Sequence, residues 1–439
     1  MNIKNLIDKL SNYLASKVES FDIFMERSFS KSLSTKDLKL EKYQVKESLN
    51  LGIRVVKNNK LGFATTNIID EKNIFEVADT AIELSKFSDP DDYPFAKKEE
   101  HKEFNIKLFY PQRDISFEEM LSFALDIENK LRKDKRIIGI RKSGVSVSEG
   151  EVYYLNHLNN FYHLKFSTSS SSVLAIGQGK KDRQYTWGAD VKRSFSFLEP
   201  QKIVKEAQEN LNYLLDAEEI ETQTINIVFS EEMVEELITS LGVAFLGKNI
   251  LRGKSLFKDS LGEKIASEKL SLLDSPIEKE GLSSTPYDGE GVKTFKKFVI
   301  EKGVLKNFIL DLYTANKLNM KTTGNCSRGA ASLPAPHFSN LIVLPSKATQ
   351  EDLFEGKVLY VISAMGLHTI DPISGDFSIG VEGALFENGK HIKNVRGVTL
   401  AGNVKDLLNN ISLIGNNLKW MGSFAAPKIR VDGLKVAGL

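Results

Sequence analysis

From Thr224 to Gly262 the chain reads TINIVFSEEMVEELITSLGVAFLGKNILRGKSLFKDSLG, which sets a strand feeding a helix at the head of its second half. Ile225, Ile227 and Phe229 alternate as in a strand, and Ser230 followed by Glu231 and Glu232 is a capped, dipole-matched helix start. Met233, Leu237, Leu241 and Ala244 recur at helical spacing with Val234, Ile238 and Phe245 beside them, so one broad face is built to be buried. A helix entering a core can carry a metal when two histidines and a general-base glutamate share a face, as in H-E-x-x-H sequences. This stretch contains no histidine.

The rest divides around it. A chain of 439 residues exceeds one ordinary core, so two domains of roughly 200 residues each are expected. The acidic DAEEIETQT before Thr224 marks the boundary, giving an N-terminal mixed α/β domain over 1–222 and a mainly antiparallel β domain over 223–439. The fold class is α+β. In the first domain Ile3, Leu6, Ile7, Leu10, Tyr13 and Leu14 space a helix, and loosely alternating strands follow over 21–29 and 38–51. GIRVVKNNKLGFATTN reads as a hairpin turning on Asn58 and Asn59, which tolerate positive φ. A helix begins at Asp70, and Ser116 with Glu119 forms a capping box, flanked by Ile115 and Met120, at the head of another. Strand texture with a turn at Asn159 and Asn160 fills 151–192, and Pro200 opens a helix through Leu214. In the second domain Lys302 and Gly303 join two strands, Asn388-Gly389 turns a hairpin, a helix is expected over 405–414, and KIRVDGLKV closes as a strand.

Composition excludes several classes of function. Lys and Arg total 59 against 58 Asp and Glu, and a net charge of +1 supplies no field for nucleic acid or an anionic membrane. The basic cluster Lys130, Arg132, Lys133, Lys135, Arg136, Arg141 and Lys142 follows a helix end, where cations are favoured without any nucleic-acid partner. No apolar run reaches the ~18 residues of a membrane span, and no uninterrupted apolar signal segment opens the chain. One cysteine, Cys326, excludes an internal disulfide framework and fits a reducing cytoplasm; it is read as a small, partly buried thiol.

Short motifs carry little weight. Gly177 and Gly179 make a G-x-G fragment that opens no helix, so a dinucleotide reading fails on context. Ser255-Leu-Phe-Lys258 and the KTTG at Lys321 imitate serine-enzyme motifs but lack the intervening S-D-N, and a loop serine is preferred. Asp371, Asp376 and Glu382 could form a carboxylate pair, yet Asp371-Pro372 and Ser374-Gly375-Asp376 are ordinary turn sequences. Gly380 and Gly383 interrupt the alternating GDFSIGVEG. Two readings stay open for them: close approach of an extended peptide added as a strand, or a bulge or tight barrel bend.

A resemblance then joins these pieces. GIRVVKNNKLGFATTN, SLFKDSLGEKIAS, TPYDGEGV, EKGVLKNFILDLYTANKL, TTGNCSRGA, SNLIVLP, GLHTIDPISGDFSIGVEGALFENGK, VRGVTLAGNV and PKIRVDG occur in this order across nearly the whole chain. The succession resembles the TldD/PmbA family, also called modulators of DNA gyrase. The resemblance implies a cytoplasmic peptidase system in which a zinc-bearing TldD-type subunit pairs with a PmbA (TldE) subunit and cleaves unfolded peptides. The implied zinc ligands are an H-E-x-x-x-H helix and a cysteine near the C-terminus. Here the matching helix, ELITSLGVAFLGKNILRGKSLF, offers aliphatic and aromatic side chains, and the matching tail, NNLKWMGSFAAPKIRVDG, has no cysteine. The histidines are His101, His157, His163, His337, His368 and His391, none four or five residues from another. Side chains without a lone pair cannot bind zinc, so the chain matches the PmbA/TldE type, with no cofactor of its own and zinc expected in its partner.

The expected function is thus a non-catalytic, metal-free subunit that completes a peptide chamber, with no catalytic or metal residues. Its candidate peptide-binding residues are Gly366, His368, Gly375, Asp376, Phe377, Ser378, Gly380 and Gly383. Expected partners are a TldD-type subunit, an unfolded peptide and, when expressed alone, a second copy, the last motivated partly by strand edges that need covering. The alternatives are an independent hydrolase of unrecognised mechanism and a modulator that binds gyrase or DNA.

Overall fold

The computed structural model describes residues 3–100 and 104–438, so His101 and the end of the polar KKEEHKE connection lie outside the described residues. The first half comprises α1 (Ile3–Ala15), β1 (Ser20–Lys36), β2 (Lys39–Lys57), β3 (Lys60–Thr66), α2 (Glu71–Ser85), α3 (Phe117–Leu131), β4 (Ile137–Asn156), β5 (Phe161–Gln178), β6 (Arg183–Lys192) and α4 (Pro200–Leu214). Its strands form one antiparallel sheet in the order β3-β2-β1-β4-β5-β6.

Local chemistry sets the element ends. Asn58 and Asn59 take φ of 53° and 60° in the β2–β3 turn, and Asp70 caps α2 by accepting from Asn73 N–H. Ser116 and Glu119 close a reciprocal capping box on α3. Within the basic cluster after α3, Arg132 pairs with Asp37, Arg136 with Asp134 and Lys130 with Asp126.

Because side chains alternate across a strand, the long sheet has two distinct faces. Phe21, Ile23, Met25 and Leu33 of β1 point to the helical side, where α1 and α2 cover one end and α3 the other, while α4 closes over β4 and β5. Asp22, Phe24, Ser32 and Ser34 belong to the opposite face, which is turned toward the second half. There Phe24 packs with Tyr154, Tyr162 and Ala330.

The second half comprises β7 (Gln223–Phe229), α5 (Glu231–Gly242), α6 (Gly247–Leu251), β8 (Leu272–Ser275), β9 (Lys297–Glu301), β10 (Val304–Leu305), α7 (Leu312–Lys317), β11 (Cys326–Ser327), β12 (Ala335–Pro336) and β13 (Asn340–Val343). It continues through α8 (Gln350–Leu353), β14 (Lys357–Met365), β15 (Asp376–Glu387), β16 (Lys390–Asn403), α9 (Val404–Asn409), β17 (Ile411–Ile414), β18 (Lys419–Met421), β19 (Phe424–Ala426) and β20 (Ile429–Ala437). One sheet runs β10-β9-β8-β13-β19-β18 and the other β16-β15-β14-β7-β20-β17. Pairing of Thr399 with Ala437 and Leu400 with Val436 joins β16 to β20, so the second sheet closes on itself. The apolar stripe of α5 enters the core shared by both sheets.

One expectation is corrected, the extent of the last helix, and two sheet features are added to the others. Within the mainly antiparallel second half, β14 pairs β7 and β13 pairs β19 in parallel, as chain segments separated by long crossovers can. The helix expected over 405–414 stops at Asn409, and Ile411–Ile414 instead pairs with β20, which buries Ile411 and Ile414. Closure at the β16–β20 seam covers the outer edge of β16 at Thr399 and Leu400.

Candidate functional site

The glycine-rich segment does not form one pocket. Gly366 (φ 94°) opens a single 3-10 turn over Leu367–Thr369 that carries the exposed His368. Asp371 Oδ1 accepts from Ile373 N–H at 2.7 Å and Ser374 N–H at 3.1 Å, and Gly375 (φ 82°) completes this turn. Asp376 accepts from Asn403 Nδ2 at 2.8 Å, Phe377 is buried, and Ser378 is exposed opposite Ala401. Gly380 is paired with Met365 on one side and Thr399 on the other. From Gly380 onward both edges of β15 are therefore paired, and an extended peptide cannot join β15 there as a ladder partner, whereas Asp376, Phe377, Ser378 and Ile379 are paired with β16 and not with β14. Gly383 sits at the register shifts on both sides of β15, with its α-carbon against the Tyr360 carbonyl, the geometry of a bulge in a closing sheet.

The α5 region does not fit a zinc ion. Met233, Val234, Leu237, Ile238 and Leu241 are core residues, and its polar side chains are carboxylates and hydroxyls. Glu231 pairs with Lys428 and Glu232 with Lys419. Among the described residues no three His, Cys, Asp or Glu side chains converge as metal ligands. His157 packs edge-on to Phe95, whereas His163 stacks on Tyr153 and contacts Glu151 at 2.8 Å, so the two histidines engage different neighbours. Cys326 is buried, more deeply than its sequence setting implies, and burial holds its thiol in the protonated form. Ser255 donates to Ala244 O at 2.7 Å and accepts from Phe257 N–H at 3.0 Å, which commits its hydroxyl to a turn.

A cavity lies elsewhere, between the open face of the first sheet and the N-terminal end of α5. It is a cleft of about 570 Å³. Ser32, Ser34, Ser146, Ser170 and Ser172 floor it, and both tryptophans of the chain, Trp187 and Trp420, line it. At one end Lys419 of β18 bridges Glu206 of α4, at 2.5 Å, and Glu232 of α5, with Glu235 beside them. Burial, reinforced by Glu232 and Glu236, pushes Glu235 up to about 7. For Glu232 burial opposes ionisation, but Lys419 outweighs it and holds the carboxyl low. In the sequence Glu232 reads only as part of a helix start, and 151–192 only as strand texture with a turn. The available signal was the run of four serines from Ser169 to Ser172, which in a strand puts Ser170 and Ser172 on one face.

Glu235 supplies a test of these electrostatics. An acid whose pKa is raised on folding keeps its proton where the unfolded chain has lost it, so its contribution to stability falls as pH rises from about 4.5 to about 7 and is flat above. After allowance for partial exposure this amounts to about 1–2 kcal/mol. Glu235→Gln is expected to match the parent in urea unfolding at pH 4.5 and to exceed it by that amount at pH 8. An equal difference at both pH values would refute the assignment.

Comparisons with known proteins agree with this architecture. Three family models match in order: the PmbA/TldA metallopeptidase domain 1 over residues 21–85, the central domain over 110–215 and the C-terminal domain over 222–438. The chain is 26% identical over 432 residues to the metalloprotease PmbA of Escherichia coli O157:H7, covering 96% of this chain and 93% of that protein. It is 24% identical over 482 residues to a metalloprotease TldD homolog of Buchnera aphidicola, covering 100% and 96%. Among solved structures, a Thermotoga maritima protein described as a modulator of a DNA gyrase superposes with a TM-score of 0.92 at 24% identity, covering 99% of this chain and 100% of that one. TldE from Thermococcus kodakarensis superposes with a TM-score of 0.88 at 21% identity, over 99% and 100%. With its three consecutive domains matched along the chain, this protein belongs to the PmbA/TldD metallopeptidase family.

Proposed function

We propose that this chain is the metal-free, non-catalytic subunit of a TldD/TldE-type metallopeptidase complex that degrades or processes unfolded peptides in the cytoplasm. The observation that carries the reading is the chemistry of α5, which presents an apolar face to the core and offers no histidine at all. In such a complex the zinc and its activated water belong to the TldD-type partner, and this chain contributes wall, cleft and pairing surface. Likeness to proteins named PmbA metalloprotease, TldD homolog and TldE supports the partnership. No helix among the described residues is long and apolar enough to cross a membrane. A near-neutral charge and the pairing of Arg132 and Arg136 with carboxylates weigh against the DNA-binding alternative.

The purified chain is expected to hold less than a tenth of an equivalent of zinc after dialysis against a mild chelator, and to leave an unfolded peptide intact. Added to a zinc-loaded TldD-type subunit, it is expected to form a hetero-oligomer by light scattering and to raise peptide cleavage. One tightly held equivalent of zinc, or cleavage by the chain alone, would overturn the reading.

A further inference from the structure

We propose that the serine-floored cleft binds a short peptide in extended form as its zwitterion, with the α-amino group at the Glu235 end and the α-carboxylate at the Lys42 end. The inference rests on the peptide-handling role above and assigns that role a place in this chain.

Strand register defines the floor. Lys42, Ser34, Gly144, Ser172 and Ala189 are successive cross-strand partners on β2, β1, β4, β5 and β6. Ser32, Ser146, Ser170 and Val191 form the neighbouring row on the same face. Four inter-strand steps span about 19 Å, the length of an extended peptide of about five or six residues. The small side chains keep this floor low. Gly144 lies at its middle without positive φ, and a β-carbon built there would come no closer than 3.9 Å to any atom, so neither backbone conformation nor packing demands glycine. Above Gly144 lies the cleft, with the Lys142 side chain at its border, its Cε 4.0 Å from such a β-carbon.

The two ends differ in charge. At the β6 end three carboxyl groups, Glu206, Glu232 and Glu235, surround one cation, Lys419, which is already shared by Glu206 and Glu232. An entering ammonium would therefore meet Glu235, which lines the cleft and makes no ion pair among the described residues. At the other end Lys42 lines the cleft, while Lys142 reaches in from β4 beside Gly144, and neither makes an ion pair among the described residues. The nearby Asp190 is neutralised by Lys202 at 2.8 Å and does not disturb this polarity. Between the ends, hydroxyls can meet main-chain amide and carbonyl groups of any sequence, and the Trp187 and Trp420 side chains offer apolar surface for its side chains. A dianionic ligand would face the carboxyl cluster and a polycation the lysines, whereas a zwitterion of matching length satisfies both.

The test is calorimetric titration of the purified full chain with the pentapeptide Ala-Ala-Phe-Ala-Ala in three forms: free, N-acetylated, and C-amidated. The free form is expected to bind, and each blocked form to bind at least tenfold more weakly. Glu235→Gln should shrink the penalty for N-acetylation, and Lys42→Ala, at an exposed strand position, the penalty for amidation. Gly144→Leu should abolish binding of the free peptide with the thermal unfolding temperature kept. No binding of the free pentapeptide, equal affinity of all three forms, or full binding by Gly144→Leu would each overturn the proposal. The outcome is separable from the subunit reading. A chain that pairs with a TldD-type subunit and raises its cleavage but ignores the free pentapeptide defeats this inference alone, whereas stoichiometric zinc with unassisted cleavage defeats the subunit reading while leaving the cleft to be judged by the titration.

Discussion

Arg54→Met is expected to lower the free energy of unfolding by about 3–5 kcal/mol at pH 8, the scale set by stripping one partner from a buried ion network. Arg54 of β2 donates from Nε to Asp22 Oδ2 at 2.8 Å and reaches Glu290 Oε1 through Nη1 at 3.2 Å. Arg328 donates to the other oxygen of Asp22 at 2.9 Å. Asp22 and Arg54 come from the first sheet, Glu290 and Arg328 from the second half, so the network is a joint between them. All four side chains are at most 5% exposed. Burial alone would raise the Asp22 carboxyl, but the two guanidinium groups outweigh it and hold it below the usual carboxylate range. Glu290 remains raised, because burial exceeds the attraction of Arg54. Methionine fills much of the arginine volume, so the expected loss comes from the unpaired charges and less from a cavity.

The same variant carries a pH signature. Without Arg54, Glu290 keeps, among the described residues, the Leu312 N–H as its one close partner, on Oε2, and protonation becomes its cheapest relief. The native variant then holds a proton that its unfolded chain loses above about pH 4.5, so the deficit relative to the parent should grow as pH rises from 5 to 8. Reversible urea unfolding at the two pH values measures both effects. A loss below about 1 kcal/mol at pH 8, or a deficit independent of pH, would show that the network is not a charge-compensated joint.

How legible this molecule is in its sequence depends on distance along the chain. The Asn58-Asn59 and Asn388-Gly389 turns, the Ser116–Glu119 capping box and the cap at Ser230 each involve residues within a few positions, and each stands in the structure as its local chemistry dictates. The α5 stripe is equally local, which is why the absence of metal ligands could be read before any fold. The Asp22–Arg328 contact joins residues 306 positions apart, and nothing in either segment announces the other. Lys419 likewise meets Glu206 and Glu232 across 213 and 187 positions, so the cleft emerges only once β18 is laid beside α4 and α5. The missed end of the last helix has another cause. Asn409 and Asn410 are weak stops, and the pull of Ile411 and Ile414 into the β20 pairing is tertiary.

Gly383→Ala is expected to destabilise the protein by about 3 kcal/mol or more, although it adds a single carbon. A β-carbon at Gly383 would fall 1.8 Å from the Tyr360 carbonyl oxygen and 2.9 Å from its carbon. Neither atom belongs to a side chain that could turn away, so β14 and β15 would have to separate. They cannot do so freely, because β15 is also held by β16, and β16 closes onto β20. Gly380, three residues earlier on the same strand, makes the control. A β-carbon there meets only Met365 Cε at 3.9 Å, and its backbone is not in the left-handed region, so Gly380→Val should change stability by less than about 1 kcal/mol, with strand propensity favouring valine. Thermal unfolding of the two variants beside the parent reads the contrast directly. If Gly383→Ala melts within about 2 °C of the parent, the bulge is not the reason for glycine at that position. If Gly380→Val instead keeps its stability but lowers cleavage by a reconstituted complex, peptide passes over this face of β15 and not along its hydrogen-bonded edges.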